Sequence, residues 1–430
     1  MKFAELHSHL YGCLTAEELL EIGKKNPSPR WQIYNDLHEK LYSERVPTEN
    51  FFQKYGNIDS FKGIYNNTKR GNFLEFQLKF NLVIALVKYD IDEIRTVAKN
   101  VSLRYFNEGS LFNEFRIMFS PYAQKQEYEE KTIAACEGFA EVSNIGTSRL
   151  IVSLHRDGDY HTQYRWLKEL SIKNKLVQEY LVGIDFCSIE EGFPPEEKSN
   201  FFKEVLKDNL GDPTNAYSIL YHVGESFSDK TPHSACRWVI ESSKLGAHRL
   251  GHCIALGVPT GLFLGKVVNE DVEERRKYLK FIIENYFTIR DCGEFPGLTI
   301  FEKFLKNLEF QTGIVPVKID QKVCIELETV QNFGLKVLRS NNTVIETCPT
   351  SNMVIAGLDP ENLPIKKFIK YDVPLTVGSD DPGILDTNLK KEYGLLNEIG
   401  IKEEEIDKIR LNSPNFSSEI LSGRKKNPKK

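Results

Sequence analysis

Residues 2–10 read KFAELHSHL, a short apolar run that ends in two histidines two positions apart. Alternation along a strand sends His7 and His9 to the same face, where both can reach one metal ion. The same pattern recurs down the chain. An apolar run at 217–221 leads into YHVGES, with His222 and Glu225; a run at 247–250 leads into RLGHC, with His252; and a run at 373–377 leads into VGSDDP, with Asp380 and Asp381. Further runs at 111–119, 150–154, 181–186 and 343–346 bring the set to eight.

Long stretches with helical spacing separate these runs, as at 91–106, where Ile91, Ile94, Val97, Ala98, Val101 and Tyr105 form one apolar face. Eight strands with interleaved helices predict a single (β/α)8 TIM-type barrel over an open doubly wound sheet, because no G-x-G-x-x-G follows the first strand. The barrel is expected over 1–422, with helical insertions on its catalytic face at about 14–75 and 258–325. The last residues, 423–430 (GRKKNPKK), are basic and lack apolar content, which predicts a disordered tail.

Composition narrows the function classes. The hydrophobic fraction is 40% and the charged fraction 27%, ordinary values for a globular enzyme with a sizeable core. A net charge of -5, from 56 basic and 61 acidic side chains, is unsuited to gripping a polyanion, so nucleic acid is not expected as a partner. No stretch approaches the roughly 20 apolar residues needed to span a bilayer, and the N-terminus has no signal-peptide core, so a cytoplasmic enzyme without a membrane partner is expected. The eight cysteines lack any C-x-x-C pair, which predicts reduced thiols. Nothing in the sequence speaks to oligomeric state.

In a parallel barrel the C-terminal strand ends converge on one face, bringing three histidines and a carboxylate together from distant parts of the chain. Such nitrogen and oxygen donors suit zinc with a position left for water, whose pKa the metal lowers from about 15.7 towards 7. Hydrolysis is the expected chemistry. A single His or Asp at a strand end is commonly only a structural residue, and an Asp-Asp pair only a turn or cap; four such clusters at four strand ends are not.

The ordered set HSHL, HVGE, RLGHC, ETCPTSN and VGSDDP resembles the adenosine deaminase family of metal-dependent hydrolases, from residue 2 to about 393 apart from the two insertions. The resemblance implies one zinc ion per subunit bound by His7, His9, His222 and Asp380, with Glu225 exchanging a proton with the ring nitrogen beside the attacked carbon. It further implies that His252 positions the hydroxide, that Asp380 takes part in catalysis, and that Asp381 bonds the imidazole part of a purine. His9, Tyr11, Ser188 and Gly224 would contact substrate. The chemistry agrees with this division of labour, since attack on an aromatic carbon bearing NH2 loads electron density onto the adjacent nitrogen, where a protonated carboxyl stabilises it.

Two positions depart from the family pattern. An acidic residue usually stands two places after the second metal histidine, where it meets the ribose, and here that place holds Tyr11; in IDFCSIEEG a family glycine is replaced by Ser188, whose N–H remains a donor. Ribose recognition is therefore open, and so is the choice between adenosine and another adenine derivative. Ester or amide hydrolysis on the same barrel lacks a separate second-metal ligand set, and a non-catalytic binding homologue would have no need for Glu225. His155 ends the third run and is expected either to line the pocket or to serve as a structural residue. His38, His161, His233 and His248 carry no functional expectation.

Overall fold

The computed structural model describes residues 3–67, 69–71 and 73–425. Numbered in chain order, the strands are β1 (Phe3–His9), β2 (Ser110–Met118), β3 (Thr147–Ser153), β4 (Leu181–Asp185), β5 (Ser218–Val223), β6 (Arg249–His252), β7 (Val267–Asp271), β8 (Ile314–Lys318), β9 (Val344–Thr347) and β10 (Leu375–Val377). Eight form a parallel sheet in the order β1-β2-β3-β4-β5-β6-β9-β10, while β7 and β8 make a separate antiparallel hairpin. The eight parallel strands are those expected from the apolar runs, in the same order. Residue 2, where the first run begins, lies outside the described residues.

The sheet closes through the site itself. The Asp380 N–H donates to the His7 carbonyl and the His9 N–H to the Asp380 carbonyl, each at 2.9 Å, bridging β1 to the loop after β10. Strands covered on both faces are largely apolar, and the charged residues within them are paired. β5 and β6 are buried at every residue, and the helices outside them supply the second layer of core, for example Trp238, Val239 and Ile240 of the helix Pro232–Lys244.

The first insertion is a set of helices (Ala16–Lys25, Trp31–Tyr42, Phe51–Lys54 and Ile58–Tyr65) continued by the helix Phe73–Leu86. It therefore runs further than the expected boundary at 75. The sequence FLEFQLKFNLVIAL has no clean polar face to mark it as an insertion helix, because it is covered on several sides. The second insertion carries the β7–β8 hairpin and the helices Val272–Glu284, Tyr286–Arg290 and Leu298–Asn307. It meets the loop after β5 through Phe227 and Phe263, whose rings lie 5.3 Å apart, and through Glu270, which accepts from Thr231 N–H at 2.8 Å.

At the other end, Arg424 Nη1 donates to the carbonyls of Gln178 (2.7 Å) and Leu181 (3.0 Å), so the start of the expected disordered tail is held against the barrel. Residues 426–430 lie outside the described residues. All eight cysteines are free thiols, seven of them buried. Among the described residues no helix is long and apolar enough to cross a membrane.

Candidate active site

β1 delivers two histidines to one face, β5 delivers His222, β6 ends at His252, and the turn after β10 carries Asp380 and Asp381. The backbone is strained at two of these residues: His252 and Asp380 both adopt left-handed conformations, φ +64° and +60°, which cost about 1–3 kcal/mol each for residues with a Cβ. The reward is convergence. One ligand atom each from His7, His222, His252 and Asp380 lie within 4.8 Å of one another, and His9, Asp380 and Asp381 form an overlapping group.

Hydrogen bonds behind the histidines decide which nitrogens face inward. His7 Nδ1 lies 2.7 Å from Glu346 Oε2, and His222 Nδ1 lies 3.1 Å from Asp185 Oδ1. Burial alone would raise both carboxyls, but Arg116 and Arg249 beside Glu346, and His222 and Arg116 beside Asp185, hold them well below the usual range. An ionised carboxylate can only accept, so each Nδ1 carries the proton and each Nε2 presents a lone pair. Burial pushes His222 down to about 3, keeping it neutral.

The two Nε2 atoms nevertheless face each other at 3.1 Å. Asp380 Oδ1 lies 3.5 Å from His7 Nε2 and 3.3 Å from His9 Nε2. Lone pairs aimed at one another across such a gap repel unless a cation lies between them. Donor atoms around a tetrahedral ion with bonds of 2.0–2.1 Å are about 3.3–3.4 Å apart, so the set fits a divalent cation. Carboxylates behind ligating histidines are the usual outer partners of such sites.

Glu225 stands beside this cluster, its Oε1 3.7 Å from His252 Nε2, and burial raises its carboxyl above the ordinary value. His252 donates from Nδ1 to Asn352 Oδ1 at 3.0 Å and turns Nε2 towards Glu225 and Asp380 Oδ2 (3.9 Å). Burial would lower its pKa, but those two carboxylates hold it above the usual value. Asp381 is buried and its Oδ1 has no protein partner; burial, then Asp380, pushes its carboxyl far up. Gly12 makes room for it, since a Cβ there would come within 1.7 Å of that oxygen. An orphaned buried oxygen of this kind calls for a polar partner.

The remaining expected contacts fall in different places. Gly224 adopts φ +71°, and its N–H donates to Glu190 Oε1 at 3.1 Å. Ser188 is exposed and also left-handed, φ +71°, a conformation that favours glycine. Tyr11 lines a cavity of about 540 Å³ next to His9, and its hydroxyl donates to Glu93 Oε1 at 3.3 Å. His155 lines the same cavity, with Nε2 2.9 Å from the Phe119 carbonyl.

The family model described as adenosine deaminase matches residues 331–426, the segment carrying β9, β10 and both aspartates. An adenosine deaminase from Clostridium botulinum (strain Kyoto / Type A2) is 22% identical over 418 residues, covering 95% of this chain and 90% of that protein. The chain is thus similar, at low identity, to adenosine deaminases. These likenesses support a metal-dependent hydrolytic deaminase acting on a purine-type ring.

Solved structures agree on the fold. An adenine deaminase from Arthrobacter aurescens superposes with TM-score 0.56 at 15% identity, covering 98% of this chain and 97% of that one. An amidohydrolase from Burkholderia ambifaria, with bound Zn, superposes with TM-score 0.55 at 14% identity, covering 97% and 85%.

Sequence reasoning passed over the residues behind the site: Asp185, Glu346, Arg116, Arg249, Asn352 and Glu190. A signal was present. Charged residues inside otherwise apolar strand runs are buried only when paired, and Arg116, Asp185, Arg249 and Glu346 each interrupt such a run.

Proposed function

We propose that this chain hydrolyses the exocyclic amine of an adenine-type ring, releasing ammonia, with zinc held by His7, His9, His222 and Asp380. The observation that carries the reading is the pairing of a cation-ready cluster with a buried, raised carboxyl, Glu225, that does not belong to it. Zinc there would act as a Lewis acid that makes water nucleophilic at neutral pH. Zinc in the amidohydrolase neighbour supports this choice of metal.

The side chains divide the remaining work. His252, fixed by Asn352, orients the attacking water through Nε2 and takes up its proton. Glu225, whose carboxyl burial raises, gives a proton to the ring nitrogen next to the attacked carbon as density builds there. Asp381 Oδ1, without a protein partner, meets the far side of the ring. As the C–N bond breaks, the amine takes the proton held on His252 and leaves as ammonia, and the second proton of the water returns to Glu225 as its oxygen becomes the ring carbonyl. Adenosine is the leading substrate, on the strength of the full-length Clostridium relative; another adenine derivative is the alternative, favoured by Tyr11 turning to Glu93.

The test is ammonia release from adenine, adenosine, guanine and cytosine, with metal-stripped protein and after added zinc. Zinc-dependent turnover of an adenine ring is expected. Turnover of cytosine alone, or no ammonia from any of them, would overturn the proposal.

A further inference from the structure

The cavity beside His9 is roofed by the helix Phe73–Leu86 and floored by the ends of β2 and β3. Its walls are chiefly apolar: Ile33, Phe80, Val83, Val87, Ile117 and Phe119. At about 540 Å³ it falls within the roughly 300–1,000 Å³ of small-molecule sites. Glu225, His252 and Asp381 are not part of its lining. A ring reacting between those three groups would therefore extend past His9 into this space with the part remote from its amine.

Most of the polar side chains around the cavity already bond other parts of the protein. Tyr11 donates to Glu93, Tyr89 to the Met118 carbonyl at 2.5 Å, and Arg30 to the carbonyls of Ile84 (2.8 Å) and Val87 (3.1 Å). Lys131 Nζ is paired with Glu127 at 2.6 Å, His155 bonds the Phe119 carbonyl, and Arg116 is held by Glu346 and the Leu6 carbonyl. Sugar hydroxyls entering such a space would lose water for few partners, those left being the exposed Arg30 and Glu127, which costs binding. An apolar group loses nothing and buries its surface. The Tyr11 and Tyr89 rings, with centroids 4.7 Å apart, offer it an aromatic wall.

We infer that the preferred substrate is an adenine carrying a bulky apolar or aromatic substituent on the side of the ring opposite the exocyclic amine, seated in this cavity. This rests on the deaminase reading above and sharpens it. The helix Phe73–Leu86 is then a specificity element, and Tyr11 is part of the wall that replaces a sugar contact.

The probes are adenosine, 9-benzyladenine and N6-benzyladenine, assayed with the zinc-loaded full-length chain for release of ammonia or benzylamine. Burial of a phenyl-sized group predicts a kcat/KM for 9-benzyladenine roughly 10- to 100-fold above that for adenosine. Phe80→Asp, at a half-buried roof position, should narrow that ratio at least tenfold; Val83→Ala, a milder change, should narrow it less and guards against misfolding of the first. Adenosine matching or exceeding 9-benzyladenine overturns the inference and leaves the deaminase reading standing. A preference for N6-benzyladenine with benzylamine release overturns the orientation. No amine released from any probe overturns both.

Discussion

At the scale of single residues, the proposed site separates the groups that would hold the cation from the group that would move the proton. Glu225 stands three positions after His222 yet outside the proposed ligand set, with burial raising its carboxyl. Glu225→Gln keeps the shape and a donor but has no proton to give up. We expect kcat to fall on the order of 10²- to 10⁴-fold with zinc content unchanged. The check is steady-state turnover and metal analysis on one preparation, and a variant retaining more than about a third of wild-type kcat with zinc bound would assign the proton to another group.

Buried acids elsewhere titrate within reach of neutral pH. Burial raises Glu392 from 4.5 to about 7, against the bonds it accepts from Thr350 and Thr387. A raised folded pKa means the folded state holds its proton more tightly. The stability linked to Glu392 is thus fully present below pH 4.5 and is lost as pH rises through about 7. The loss is about 3 kcal/mol. Glu392→Gln should show a smaller drop in melting temperature between pH 5 and pH 8 than the unaltered chain. An identical drop in both proteins would mean the carboxyl is not responsible.

At the scale of elements, the second insertion is tied to the loop after β5 through Glu270. Glu270 on β7 accepts from both the N–H and the hydroxyl of Thr231, at 2.8 and 2.9 Å, and Thr231 caps the helix Pro232–Lys244. The intervening loop, 226–231, follows directly on Glu225. Glu270→Ala strands a buried donor, worth about 1–3 kcal/mol. Amide exchange around Thr231 should then quicken while the barrel strands stay protected, and Glu270→Gln, which still accepts, should largely restore the slow exchange. Equal protection in all three proteins would show that the hairpin does not brace this loop.

At the scale of the whole molecule, the site is also the closure of the barrel. Asp380 both faces His7 and His9 through its carboxylate and bridges their strand through its backbone, so barrel geometry and cluster geometry are one constraint. Arg116 and Arg249, on β2 and β6, meet at Glu346 on β9 and lock opposite parts of the wall behind the histidines. Buried charges of this kind persist only when fully paired.

The sequence by itself determined the eight barrel strands, their order and the polar residues at their ends, because a strand covered on both faces is largely apolar and its chemistry sits where it stops; the β7–β8 hairpin inside the second insertion, expected as helical, was not legible there. His7, His9, His222, Glu225, His252, Asp380 and Asp381 were legible for that reason. Tertiary structure alone decided the tautomers, the orphaned oxygen of Asp381 and the cavity under the helix Phe73–Leu86. Each depends on atoms from elements far apart in the chain: Glu346 lies 339 residues from the His7 it orients, and Asp381 fits only because Gly12 leaves space. Periodicity records which side of an element faces inward. It does not record which distant side chain waits there, and the partners of Tyr11 and His222 became definite only when the strands closed around them.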